Sequence, residues 1–166
     1  MKNEKVEEII EDNEKEEVKE TGLMIKDFGQ MEAVTGRSKT NVFTTITDNR
    51  LIFNLENECD YKLNDCKGEV IRVKDVLIKV IEKALNEPEV NEETGEVIDK
   101  EYKKVCILID DNGKSYVTGS KMFTNQMMRY INMFGIADFK DGLEIKIIEK
   151  SVKNTSNKAL GFELVD

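Results

Sequence analysis

Residues 103–135, KKVCILIDDNGKSYVTGSKMFTNQMMRYINMFG, constrain the fold of this chain more than any other stretch. They read as a buried strand, a tight turn, a short strand and a capped amphipathic helix. Asp111-Asn112-Gly113 has the composition of a two-strand turn, because asparagine and glycine tolerate the positive φ that such turns require. Ser120 stands where a helix N-cap belongs, and Gly135 where a helix ends. Between them Phe123, Met127, Tyr130, Ile131 and Phe134 recur at helical spacing, which assigns them to one core-facing stripe.

The flanking sequence extends this unit. Residues 69–83, EVIRVKDVLIKVIEK, read as a strand, with Ile71, Val73, Leu77 and Ile81 on one side and Arg72, Lys74, Val76, Ile78 and Val80 on the other. A helix over 76–85 is the rival, and β-branching favours the strand. Residues 85–95 hold the only proline and an acidic NEETGE turn, predicting a loop before a return strand at 97–110. Strands are also predicted at 143–150 and 159–165. The resulting β-β-β-α-β-β order is that of an OB-fold, a small barrel that often holds single-stranded nucleic acid or oligosaccharide. Upstream, 42–48 alternates as a strand, Asp48-Asn49 has turn chemistry and 51–55 returns, so an N-terminal hairpin over about 42–55 is expected. Residues 56–68 read as a polar loop. The expectation is thus a mainly β chain: an acidic arm at 1–22, then one OB-fold domain at 23–166, its barrel spanning about 69–165.

Composition narrows the chemistry. Among 166 residues there is no histidine and no tryptophan, which removes the commonest general base and the histidine-based nucleophile pairs and zinc sites. Cys59 and Cys66 do not have zinc-knuckle spacing, and Cys106 lies mid-strand among Val105, Ile107 and Leu108 as a small core residue. Three cysteines suit a reducing compartment better than a disulfide framework. No apolar run is long enough to span a bilayer and the start of the chain is too acidic for a signal peptide, so a cytoplasmic protein is expected. Asp110-Asp111 is adequately explained as the entry to a turn, since adjacent strand residues point to opposite faces. No glycine-rich phosphate loop occurs. The expectation is a non-enzyme without cofactor or metal.

The net charge is −9, but residues 1–20 alone hold nine acidic residues and four lysines, a net of −5. The remainder is only mildly acidic and can carry a local basic groove. The arm reads as a solvated tail, or as one that docks a partner or competes with DNA. Binding single strands without sequence preference takes a positive groove and aromatic faces. Arg72, Lys74 and Lys79, then Tyr102, Lys103 and Lys104, then Lys114 and Tyr116 are placed to supply both, with Phe43 or Phe53 as further stacking candidates. The predicted 4–5 loop, SVKNTSNK, adds Lys153 and Lys158 beside Lys150. Each lysine alone is as well explained as a solvated surface charge.

The run VKDVLI, the ETGEV loop, VCILIDDNGKSYVTGSKMF and INMFG, together with FTTITDNRLIFNL and LNDCKGEVIRV upstream, resemble the small single-stranded-DNA-binding proteins of bacteriophages and mobile elements. Their pattern is of the kind VKDV…ETGE…VLID..G.SY…S.G.F…I…FG, and the resemblance covers residues 42–165. It implies an OB-fold protein that coats single-stranded DNA during phage replication or recombination in the bacterial cytoplasm. Phage replication or recombination proteins are the implied partners, and a homo-oligomer is left open. Tyr116 and Ser120 fall in the family's SY…S segment, and Phe123, Ile131, Phe134 and Gly135 on its helix pattern. The chain differs in its acidic arm and in closing on GFELVD rather than an acidic tail. The expected DNA-binding set is Arg72, Lys74, Tyr102, Lys103, Lys104, Lys114, Tyr116, Lys153 and Lys158. The alternative is an acidic DNA mimic that inhibits a host nucleic-acid enzyme; a carboxylate-metal nuclease is third.

Overall fold

A computed structural model describes residues 23–27, 38–153 and 156–165. The acidic arm at 1–22 and residues 28–37 lie outside the described residues. The chain is mainly β, with its strands in one eight-stranded sheet that does not close. In chain order the elements are β1 (Met24–Asp27), β2 (Ser38–Thr44), α1 (Asn49–Asn57), β3 (Tyr61–Lys62), a 3-10 turn (Leu63–Cys66), β4 (Val70–Val90), β5 (Val97–Asp110), β6 (Ser115–Thr118), α2 (Lys121–Phe134), α3 (Ala137–Asp141), β7 (Leu143–Ser151) and β8 (Lys158–Leu164).

The central strand is β4. It pairs antiparallel with β2 and β5, and its first residues, Val70–Val73, pair with β7, which carries β8 on its other side. β5 pairs with β6, and β6 with β3 in parallel, Tyr61 opposite Tyr116. The strand order β6-β5-β4-β7-β8 is open between β6 and β8, which share no ladder among the described residues. α2 spans this side of the sheet, and its Gln126 clasps the backbone of Phe162 on β8, accepting from its N–H at 3.1 Å.

Two clusters of buried side chains flank the sheet. The larger joins Val73, Val76 and Ile78 of β4 and Cys106 and Leu108 of β5 to Phe123, Met127 and Ile131 of α2 and to β7 and β8. The smaller joins Leu77, Ile107 and Ile109 to Val42 and to Ile52 and Leu55 of α1. β4 is therefore buried on both faces over Val76–Ile78, where its sequence is continuously apolar.

Several expectations are corrected. Residues 51–55 are not a strand but the middle of α1, so no hairpin forms over 42–55. Asp48 is the N-cap: its carboxylate accepts the Arg50 N–H at 2.9 Å, and Ile52 and Leu55, three apart, bury one face. The strict alternation over 69–83 breaks at a register shift between Val73 and Asp75, where β5 advances one residue while β4 advances two. This bulge returns Val76 and Ile78 to the face already used by Ile71 and Val73, and sends Leu77 to the other. The loop expected at 85–95 is largely strand, since β4 runs on to Val90 through a second irregularity between Ala84 and Glu89. Phe134 leaves the core stripe and is 55% exposed. By contrast, β5 occupies the expected 97–110, and α2 is capped at Ser120 and Gly135.

Candidate nucleic-acid interface

The sharpest local arrangement lies where β3 meets β6. Asp110, at the end of β5, accepts N–H groups from Asn112 at 2.9 Å and Lys114 at 2.8 Å through Oδ1, and the Tyr116 hydroxyl at 2.9 Å through Oδ2. The turn is thereby locked and Tyr116 oriented. Asp60 in turn accepts from the Ser115 N–H at 2.9 Å and its hydroxyl at 3.1 Å, which docks β3 against β6. The outcome is a stacked aromatic pair, Tyr61 on Tyr116, with ring centroids 5.3 Å apart and planes at 27°. Lys114 Nζ lies 5.7 Å from the Tyr61 ring centroid, within cation–π range. Tyr61 is 44% exposed, while Tyr116 is half-buried against the main core. Burial first, and the Asp110 carboxylate second, push the Tyr116 phenol up, so it stays neutral.

Next to this pair is a cleft of about 570 Å³ at the open seam between the end of β6 and the start of β8. Lys62, Asn64, Thr118, Ser120 and Lys158 line it. Ser120 bridges the seam at one point, its hydroxyl donating to the Leu160 carbonyl at 3.3 Å.

The other expected contacts are placed differently. Arg72 donates through Nε to the Asp141 carbonyl at 3.1 Å and lies 3.9 Å from Glu144; Lys74 donates to the Lys140 carbonyl at 2.7 Å. Both cations thus satisfy the carbonyl end of α3, as positive groups do at helix C-termini. The Arg72 side chain lies over Gly142, where a Cβ would come within 2.3 Å of Nε. Lys104 donates to Asn125 of α2 at 2.9 Å, and Lys79 pairs with Glu56 at 3.3 Å. Tyr102 and Lys103 are exposed on the long β4–β5 ribbon, opposite Glu82 and Ile81. Beyond them, residues 85–99 contain six acidic residues and no basic one, together with exposed Val90, Val97 and Ile98. Lys153 is exposed in the turn after β7. Phe43 packs on the core, and Phe53 is exposed on α1. The structure thus brings together Lys114 and Tyr116 from the expected set and places Lys158 on the seam cleft. It adds Tyr61 and Lys62. The signal for these two was present in the sequence: an aromatic beside a lysine in an otherwise polar segment.

The cysteine thiols are shifted away from the thiolate form. Burial pushes the thiols of Cys59, Cys66 and Cys106 up, that of Cys66 from 9.0 to about 11. Among the described residues no group of three or more histidine, cysteine or acidic side chains is placed to hold a metal ion, and no helix is long and apolar enough to cross a membrane. No family model matches the chain, and no curated protein or solved structure does so either.

Proposed function

We propose that this chain binds single-stranded DNA without sequence preference and without catalysis, as a coating protein of phage or mobile-element replication or recombination acting in a bacterial cytoplasm. The observation that carries the reading is the Tyr61–Tyr116 stack with Lys114 over its exposed ring. An exposed aromatic face beside a cation is what a base and its phosphate require of a sequence-tolerant site. The strand order gives further support. Neighbours β6-β5-β4-β7-β8, with a helix between β6 and β7, match the strand order of an OB barrel without its closure, the outer edge of β6 pairing with β3 instead. Bases would stack on Tyr61, with Lys114 holding the adjacent phosphate.

The test is a titration of a fluorescent oligo-dT of about 30 nucleotides, longer than one OB-fold site, at low and high salt with a duplex control. Saturable, salt-weakened binding to the single strand alone is the expected result. A second reading is favoured by the acidic, apolar-tipped ribbon at 85–99: a surface that docks a basic protein, as an inhibitor mimicking DNA would. That reading predicts no affinity for the oligonucleotide even at low salt.

A further inference from the structure

The open seam between β6 and β8 has a volume, a lining and a position that the stacking pair alone does not use. From the geometry we infer that it is a phosphate-binding cleft, which takes the sugar-phosphate backbone of the strand as it leaves the tyrosines. The inference rests on the single-strand reading and assigns a second contact to it.

At about 570 Å³ the cleft is within the range of small-ligand sites and has room for a nucleotide unit. Its polar lining is of one electrostatic sign: Lys62 and Lys158 are its charged residues, beside the neutral Asn64, Thr118 and Ser120. Ser120 is also the N-cap of the 14-residue α2, so the positive end of that helix dipole lies at the wall of the cleft. Lys158 is weakly held. Among the described residues its one ion-pair partner, Glu149, is 4.0 Å away and already pairs with Lys67 at 3.1 Å, leaving the Lys158 ammonium available to an anion. The connection to the tyrosines is covalent. Tyr61 and Lys62 are consecutive residues of β3, and neighbouring strand side chains point to opposite faces, so one stacks on Tyr116 while the next enters the cleft. β3 is the end strand of the sheet, so a strand of DNA can cross its free edge from one to the other.

The experiment uses the full chain. A Lys62→Ala/Lys158→Ala double variant is compared with Lys140→Ala/Lys146→Ala, which removes the same charge from exposed positions off the cleft. The log–log salt slope of oligo-dT affinity is measured for each, with thermal melting as the folding control. Removing two phosphate-binding cations, at about 0.7 each, should lower the slope of the cleft variant by about 1.4 and leave that of the control near the parent value. An Ala159→Phe variant, which fills the cleft at unchanged charge, should weaken binding several-fold. Equal slopes for the two double variants, with Ala159→Phe binding like the parent, overturn the cleft while leaving single-strand binding intact. A parent that binds no oligonucleotide overturns both, which keeps the two failures distinct.

Discussion

Tyr61→Ala isolates the stacking contribution because this ring is the exposed member of the pair. Tyr116 is a poorer probe, since its ring packs on the core and its hydroxyl is committed to Asp110 at 2.9 Å. Truncating Tyr61 removes one aromatic pair and one cation–π contact from a residue that is 44% exposed. For the fold the aromatic pair is worth about 0.5–1.5 kcal/mol and the exposed cation–π contact about 0.5–1 kcal/mol, a melting shift of a few degrees at about 2–4 °C per kcal/mol for a chain of this size. The anchor of β3 survives, because the Asp60–Ser115 hydrogen bonds do not involve the tyrosine ring. Binding loses more: one stacked base is worth about 1–3 kcal/mol, roughly 5- to 150-fold in Kd. Fluorescence anisotropy with labelled oligo-dT measures this at each salt concentration. The salt slope should stay at the parent value, since no phosphate contact is removed. A Kd within twofold of the parent, in a variant that melts cooperatively, would refute the stacking role.

The remaining expectations concern other parts of the molecule. Thr44 is fully buried, donating to the Val76 carbonyl at 2.8 Å and accepting the Ile46 N–H at 3.0 Å; Thr44→Val removes both bonds, and while the Val76 carbonyl keeps the Thr45 N–H at 3.1 Å, the buried Ile46 N–H loses its acceptor. That costs about 1–3 kcal/mol, seen as a lower denaturant midpoint at an unchanged slope. Stability should hold through neutral pH and fall as pH rises from 9.0 towards about 11. The unfolded chain ionises Cys66 there while the folded chain keeps the thiol protonated, and Cys106, Tyr116 and Tyr130 are raised in the same sense. Equilibrium unfolding across that range checks the sign, and a midpoint that rises instead is the contrary result. Replacing residues 85–99 by an Asn-Gly turn removes six carboxylates from an exposed ribbon. Single-strand affinity should then increase at low salt and converge on the parent's at high salt, where charges beyond a Debye length are screened; a loss of affinity would place the ribbon in the interface.

What was legible in the sequence depended on how local the deciding interactions are. α2 is specified within its own residues, by the Ser120 cap, the apolar stripe and Gly135, and it forms where expected. α1 is equally local but is obscured, because Asp48-Asn49 is good chemistry both for a turn and for an N-cap. The choice is made by Ile52 and Leu55 finding Leu77, Ile107 and Ile109 across the sheet. The bulge at Asp75 is a property of pairing, which no single strand announces. The site follows the same division. Tyr116 stands out beside a recognisable turn, whereas Tyr61 gains its role from a two-residue parallel pairing with β6, 55 positions away. Arg72 and Lys74 stand out for their charge, and charge is indeed what they use, but on the carbonyls of Asp141 and Lys140.

The overall charge is the strongest objection to a DNA-binding role, and its distribution answers it. Of the net −9, residues 1–20 account for −5 and the ribbon at 85–99 for −6, so the other 131 residues together carry +2. A phosphate responds to the potential within about a Debye length, roughly 8–10 Å at physiological salt, not to the sum over the molecule. Around the tyrosine pair and the seam that neighbourhood holds Lys114, Lys62 and Lys158, while three of the carboxylates beside them are occupied: Asp110 by Tyr116 and the turn, Asp60 by Ser115, Glu149 by Lys67. A carboxylate that accepts several hydrogen bonds within the fold has its field partly compensated by those donors. On the proposed reading the acidic ribbon would oppose strand binding along its own length and so favour the edge of the sheet where Tyr61 lies beside Lys114 and Lys62.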